Sequence, residues 1–293
     1  SLATVVGAVI SGFFLRNQAG IDGIIAMETG AFIGGTVNLV ALGDVFNVNE
    51  TIISGTAIGA NLMVTFLLVG FITATEAKWV RKNFRHPHID KFEANIDASK
   101  GLVAAQYWKP KNISLLSIAK SIMTTFIICG LSHVIASFVN TLGVPKIIEQ
   151  LFGNIFLLIT TLTAILVTLF PKYFETLEGS DELGYYMIMV YFVSIGAVAE
   201  LSQLVVVGPT IIFSMLFIII IHLIVLFACT KLFKWTWEEA ACSSCCAIGG
   251  PTTGAALAIN KGWDAMVAPS ILVGLYGYII GNYVGVFVGN LFG

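Results

Sequence analysis

Three thiols, Cys242, Cys245 and Cys246, form a Cys-x-x-Cys-Cys pattern that could serve metal binding or thiol redox chemistry. No histidine or second cysteine pair lies near them in sequence, and cysteine also packs as a small apolar residue. The next residues carry a different chemistry. Gly249, Gly250 and Pro251 interrupt an uncharged run spanning 242–259. Proline has no N–H and its ring collides with the carbonyl four residues back, while glycine costs about 1 kcal/mol against alanine inside a helix. The pattern predicts one helix ending here and another starting at Pro251, with Gly250 as N-cap and the hydroxyls of Thr252 and Thr253 in its first turn. The N-terminus of such a helix suits an anion, and the carbonyls freed at the end of the preceding one suit a cation.

A second copy of this feature lies earlier in the chain. Sliding the sequence by 215 positions aligns 32–71 with 247–286, matching Ile33, Gly34, Gly35, Ala41, Leu42, Gly59, Val69 and Gly70 to identical residues. An internal duplication follows, and paired interruptions in hydrophobic segments point to a transport site. The expected binding residues are Gly34, Gly35, Thr36 and Asn38 at the first break, and Gly249, Gly250, Thr252 and Thr253 at the second. Asn61 is a further polar candidate. Glu28 and Glu200 are added because carboxylates in membrane segments are costly and tend to face a cavity. His133 and His222 lie in apolar runs, where a lone imidazole is more often bonded to a neighbour than functional.

The elements that must hold these residues are membrane helices. Hydrophobic residues make up 57% of the chain and charged ones 11%, with a mean hydropathy of +0.91. The expected helices cover 2–15, about 50–75, 114–139, 147–170, 183–204, 207–232 and 264–290, with broken segments at about 21–43 and 237–259. Three regions result: 1–75 as the C-terminal part of a first repeat whose opening helices precede it, 76–112 as a linker, and 113–293 as the second repeat. Helix 2–15 is too short to cross a bilayer alone, the basis for expecting a longer protein. The linker holds eight Lys or Arg, from Lys78 to Lys111, which places it in the cytoplasm of a prokaryotic inner membrane. If each segment crosses once, the two repeats run parallel.

The motifs Ile33-Gly34-Gly35-Thr36-Val37-Asn38 and Ile248-Gly249-Gly250-Pro251-Thr252-Thr253, with Lys261-Gly262-Trp263 and Ala268-Pro269-Ser270-Ile271, resemble the YjcL-like membrane proteins of unknown function. Those proteins resemble in turn the cation/proton antiporters and anion transporters. The resemblance implies an all-α polytopic fold of two inverted repeats, each with a helix unwound at mid-membrane, arranged as core plus scaffold. Its orientation conflicts with the parallel one counted above. The chain also departs at Ala60-Asn61, where the related group has an Asp-Asn pair, and at Cys245 and Ala247, where it has Asn.

The function expected is ion-coupled, elevator-type secondary transport of a small solute such as an organic anion or amino acid. Na⁺ or H⁺ is the coupling ion, and no other cofactor, bound metal or catalytic residue is expected. Membrane lipid and the solute are the partners; a homodimer is allowed, nucleic acid is not expected. No phosphate-binding glycine loop, nucleophile elbow or zinc-type helix motif is present, which points away from an enzyme. The alternatives are an intramembrane redox or metal protein built on the three cysteines, and a sensor or assembly subunit.

Overall fold

The computed structural model describes residues 2–17, 20–94, 113–145, 148–149, 152–180, 182–184, 186–187, 190, 193 and 201–293. Among these the regular structure is helical. Four helices are long and apolar enough to cross a membrane, as expected of a polytopic membrane protein: Glu50–Ala74, Leu115–Thr141, Gly208–Leu232 and Asp264–Gly289. Glu200, residues 95–112 of the linker and most of the expected helix 183–204 lie outside the described residues.

The chain divides into two compact units, one of Ser1–Lys109 with Glu200–Gly293 and the other of Pro110–Ala199. The first contains α1 (Leu2–Leu15), α2 (Ile21–Gly34), α3 (Thr36–Val45), α4 (Glu50–Ala74), α5 (Lys78–Asn83) and α6 (Pro87–Ala94). The second holds α7 (Leu115–Thr141), α8 (Ile155–Leu169) and the short α9 (Pro171–Phe174). The chain returns to the first unit with α10 (Leu201–Leu232), α11 (Trp237–Gly249), α12 (Pro251–Asn260) and α13 (Asp264–Gly289).

Two boundaries differ from the sequence reading. The helix expected over 147–170 is interrupted at Gly153 and Asn154, where the Asn154 side chain accepts the amides of Phe156 and Leu157 and caps a new helix from Ile155, although 148, 149 and 152 before it are also helical. The helix expected to begin near 207 begins at Leu201 and runs through Pro209. Membrane helices tolerate such a proline when neighbours satisfy the freed carbonyl.

The larger correction concerns the broken segments, expected to cross the membrane once each. In a continuous path, residues 30 and 42 would lie about 18 Å apart at 1.5 Å per residue. Instead a methyl placed on Gly30 would collide with Leu42 Cδ1, and Gly23 packs against Phe46 and Val48. Thus α3 folds back along α2, turning at Gly35. The same holds for α11 and α12, since a methyl on Gly254 would lie 2.8 Å from the Cys242 carbonyl, also twelve residues away. Each segment is a helical hairpin that enters and leaves at one end of the unit.

The two hairpins use opposite ends. At one end, the base of the α11/α12 hairpin is fixed to the end of α4: Trp237 Nε1 donates to Thr75 Oγ1 at 3.0 Å, and Lys261 Nζ pairs with Glu76 Oε1 at 2.8 Å. Thr236 and Glu239 form a capping box that starts α11. The buried Glu238 accepts the amides of His88 and Ile89, both at 2.9 Å, so its carboxyl oxygen occupies the N-terminus of α6. Phe71, Phe84 and Phe227 pack around Trp237 with ring centroids 5.5–5.8 Å away. At the other end, α2 leaves the α1 turn and α3 hands over to α4, whose Ile53 lies against Gly43. Asp22 near the start of α2 also lies there, beside Gly293 after α13.

His86, between α5 and α6, makes the first end pH-sensitive. Its Nδ1 faces Asp90 Oδ1 at 2.9 Å and its Nε2 faces the Arg81 carbonyl at 3.0 Å. Both partners only accept, so both nitrogens donate in the imidazolium form. Burial alone would lower the imidazole, but the Arg81 carbonyl and the Asp90 carboxylate outweigh it and raise it above its ordinary 6.5. The contact is therefore complete below 6.5 and lost as pH rises through the raised value. An NMR titration of His86 should have its midpoint above 6.5, and Asp90→Asn should bring it back down. An unchanged midpoint would contradict this.

Candidate functional site

The two hairpins meet at their tips. Gly35 has φ 87° and ψ −179°, and Gly250 has φ 80° and ψ 178°. This backbone region is essentially restricted to glycine, so both turns depend on the absence of a Cβ. A methyl on Gly35 would lie 3.4 Å from the Gly250 nitrogen and 3.5 Å from Tyr278 Cε1. One on Gly250 would lie 2.9 Å from the Tyr278 hydroxyl. Gly35 and Gly250 therefore stand in contact, with the Tyr278 ring of α13 beside both.

Helix α13 holds the tips through a glycine stripe. A methyl on Gly277 would collide with the Ile33 carbonyl, one on Gly281 with the Asn38 amide, and one on Gly274 would lie 2.5 Å from Pro251 Cα. The stripe continues through Gly285 and Gly289 against Ala26, Leu42 and Phe46. Contact advances along α13 as it retreats along α2, so these two helices are antiparallel, with α3 parallel to α13. Small residues four apart allow such backbone approach in membranes. Its G-x-x-x-G spacing is readable in the sequence; nothing there says which helix it contacts.

The expected binding residues separate into groups. Gly34 and Gly35 are buried at the first tip, with Thr36 half-buried and Val37 exposed beside them. Gly250 and Pro251 are buried at the second, with Gly249 and Thr253 half-buried and Thr252 exposed. Asn38 is 1% exposed and its Nδ2 donates to the Tyr278 carbonyl at 3.0 Å, tying α3 to α13. Thr253 Oγ1 donates to the Gly249 carbonyl at 2.7 Å, so its proton satisfies the end of α11 and its lone pairs remain. Asn61 is exposed on α4 with Nδ2 on the Ala57 carbonyl at 2.9 Å. That bond keeps Asn61 within its own helix, and no described contact joins it to the tips.

Each tip also presents helix-end groups. The first N–H groups of a helix lack intrahelical partners. Here the Asn38 and Thr253 amides return to the Gly35 and Gly250 carbonyls, at 3.1 and 3.2 Å. The amides of Thr36, Val37 and Thr252 begin α3 and α12 at the accessible side of the tips, so this region carries the positive ends of two helix dipoles.

Two polar groups singled out in the sequence find partners on distant helices: Glu28 links α2 to α10, and His222 links α10 to α1 and α11. Glu28 is fully buried, and its Oε1 lies 2.5 Å from Ser214 Oγ. His222 is 3% exposed, with Nδ1 3.2 Å from Thr4 Oγ1 and Nε2 2.9 Å from Ser244 Oγ. Thr4 donates to the Phe32 carbonyl at 3.2 Å, one of the carbonyls freed where α2 ends. His222 Nδ1 then donates to Thr4 and Nε2 accepts from Ser244, which fixes the tautomer. His133 is exposed on α7. Cys242, Cys245 and Cys246 are buried free thiols, and Cys246 Sγ donates to the Ser270 carbonyl at 3.0 Å while packing against Gly254. Their place in this hairpin is one where small volume matters. Among the described residues no three His, Cys, Asp or Glu side chains group as metal ligands.

The family profile described as "Protein of unknown function (DUF819)" matches residues 1–293. The chain is 36% identical over 293 residues to "Uncharacterized membrane protein YjcL" of Bacillus subtilis (strain 168), covering all of this chain and 74% of that protein. No solved structure matches.

Proposed function

The chain belongs to the DUF819 family of proteins of unknown function, and we propose that it is an ion-coupled secondary transporter whose solute binds where the two hairpin tips meet. The observation that carries this reading is the contact between Gly35 and Gly250, brought together by hairpins from opposite ends of one unit. Non-helical backbone at membrane depth is tolerated only where it is buried in protein or lines a cavity. Helix α2 has 14 residues and α11 has 13. At 1.5 Å per residue each reaches about 20 Å, past the middle of a hydrocarbon core about 30 Å thick.

This geometry supports inverted repeats, as the resemblance implied, and it removes the reason for counting them as parallel. When neither broken segment crosses, Lys261 moves to the end that carries Lys78, Arg81, Lys82, Arg85, Lys231 and Lys234, and Arg16 goes to the other. Basic residues collect on the cytoplasmic side, so α11/α12 enters from the cytoplasm and α2/α3 from outside. In the elevator-type reading the hairpin-bearing unit is the transporting core, with the Pro110–Ala199 unit as scaffold.

The amides of Thr36, Val37 and Thr252 favour a carboxylate on the solute, each helix end contributing about 0.3–1 kcal/mol when exposed and up to about 2 kcal/mol when partly buried. Thr253 acts differently from the sequence expectation, because its proton is held by Gly249. Thr253→Val leaves that carbonyl unpaired, a cost of about 1–3 kcal/mol where it stays dry. Uptake of a carboxylate solute should fall together with the melting temperature of the solute-free protein. Lost uptake at an unchanged melting temperature would instead assign the hydroxyl to the solute. The transport reading itself is tested by solute-dependent thermal stabilisation across organic anions and amino acids, then by uptake of the stabilising solute into proteoliposomes. No stabilisation and no uptake across the set would count against it.

A further inference from the structure

Glu28 lies seven residues before Gly35 on α2 with no exposed surface, and its Oε2 has no hydrogen-bonding partner among the described residues. Its Oε1 faces Ser214 Oγ at 2.5 Å, and the same Ser214 oxygen lies 2.8 Å from the Ile211 carbonyl. A serine hydroxyl has one proton. If Ser214 gives that proton to the carbonyl, the short contact to Glu28 is a hydrogen bond only when Glu28 carries a proton and donates it.

The surroundings agree with a neutral carboxylic acid. Titratable groups on the helices packed around α2 are Asp44 on α3, Glu50 on α4, His222, Cys229 and Lys231 on α10, Glu238, Glu239 and the three cysteines on α11, and Asp264, Tyr276, Tyr278 and Tyr283 on α13; α1 carries none. Among the described residues none of them forms an ion pair or hydrogen bond with Glu28. An ionised carboxylate without a counter-charge is far costlier to bury than a neutral acid. Ser11 supplies another buried oxygen without a partner among the described residues. Thr4 meets His222 and Gly7 meets Ile218, so α1 and α10 run antiparallel and Ser11 comes to the level of Ser214. Sodium would need several converging oxygens, whereas a proton needs only a carboxyl and a hydroxyl.

We infer that the pair Glu28–Ser214 is a proton-carrying site, and that H⁺ is the coupling ion. The coupling role rests on the transport reading above; the presence of the proton does not. On loading, the carboxylate takes a proton from water to form the acid that donates to Ser214, and on release it returns that proton to water.

Infrared spectra of the full protein in lipid vesicles at neutral pH test this. The C=O stretch of a buried carboxylic acid should be present, shift in Ser214→Ala and vanish in Glu28→Gln. If Glu28→Gln removes no such band, the assignment is overturned. In proteoliposomes, uptake driven by a proton gradient should fall roughly 5–150-fold in Glu28→Gln, the span of coupling between sites, while solute exchange without a gradient persists. Uptake driven by a sodium gradient in both wild type and variant would overturn H⁺ as the coupling ion. Normal uptake by a protein with a blocked tip, with the infrared band intact, would reject the tip site and leave the proton site standing.

Discussion

Replacing Gly250 by leucine should abolish uptake while the protein still folds. Gly250 sits at φ 80° and ψ 178°, where any side chain costs about 1–3 kcal/mol of backbone strain. Its first carbon would already lie 2.9 Å from the Tyr278 hydroxyl, and the rest of a leucine would occupy the space where the tips face each other. The strain is small beside the loss of a site whose two halves must touch. Gly70→Ala is the control. Among the described residues no atom beyond its own stretch of helix lies within 4 Å of the methyl it adds to α4, and helix propensity favours the change by about 1 kcal/mol. Uptake should be unaffected in Gly70→Ala and absent in Gly250→Leu, with melting temperature recorded for both. Near-normal uptake by Gly250→Leu would remove the tip from the transport path.

The second large effect belongs to α13 and is one of stability. A methyl on Gly277 meets the Ile33 carbonyl, which is backbone and cannot rotate away. Gly277→Ala therefore forces α2 and α13 apart, and overpacking of this kind costs about 1–3 kcal/mol, occasionally more. Gly277→Leu should prevent folding. For a unit of this size, Gly277→Ala should lower the melting temperature by roughly 2–4 °C for each kcal/mol. The lost contacts lie beside Gly34, so solute binding should weaken as well. Gly130→Ala, in the second unit with open space around its added methyl, should show neither change. An unchanged melting temperature in Gly277→Ala would mean that the glycine stripe does not set the spacing of α2.

Both sets of residues were visible in the sequence to different depths. Gly35 and Gly250 announce a break because glycine and proline act through local backbone sterics, which need no knowledge of neighbours. The direction after the break is a long-range matter. A break reads the same whether the next helix continues across the membrane or turns back, and α3 turns back because Gly30 and Gly34 leave room for Leu42 and Asn38. That room is shared with α13, about 240 residues away. The lengths of α3 and α12, ten residues each, were the available clue, since half a span is what a hairpin arm requires. Glu28 was legible as a costly carboxylate, but Ser214, its partner, is 186 positions distant and unremarkable in an apolar run. Thr253 shows the converse. A hydroxyl in the first turn after a break reads as a ligand contact, yet the nearest unsatisfied group is the carbonyl four residues back, and it takes the proton.

The central claim is that solute binds between the tips, and the most direct measurement is an experimental structure of the full-length protein with its stabilising solute at saturation. The account predicts solute density touching the backbone at Gly35 and Gly250, its charged end toward the amides of Thr36, Val37 and Thr252, and no such density in Gly250→Leu. Density instead in the apolar cavity of about 350 Å³ between α4 and α10, lined by Met63, Phe66, Leu223 and Trp237, with the tips closed upon each other, would contradict it.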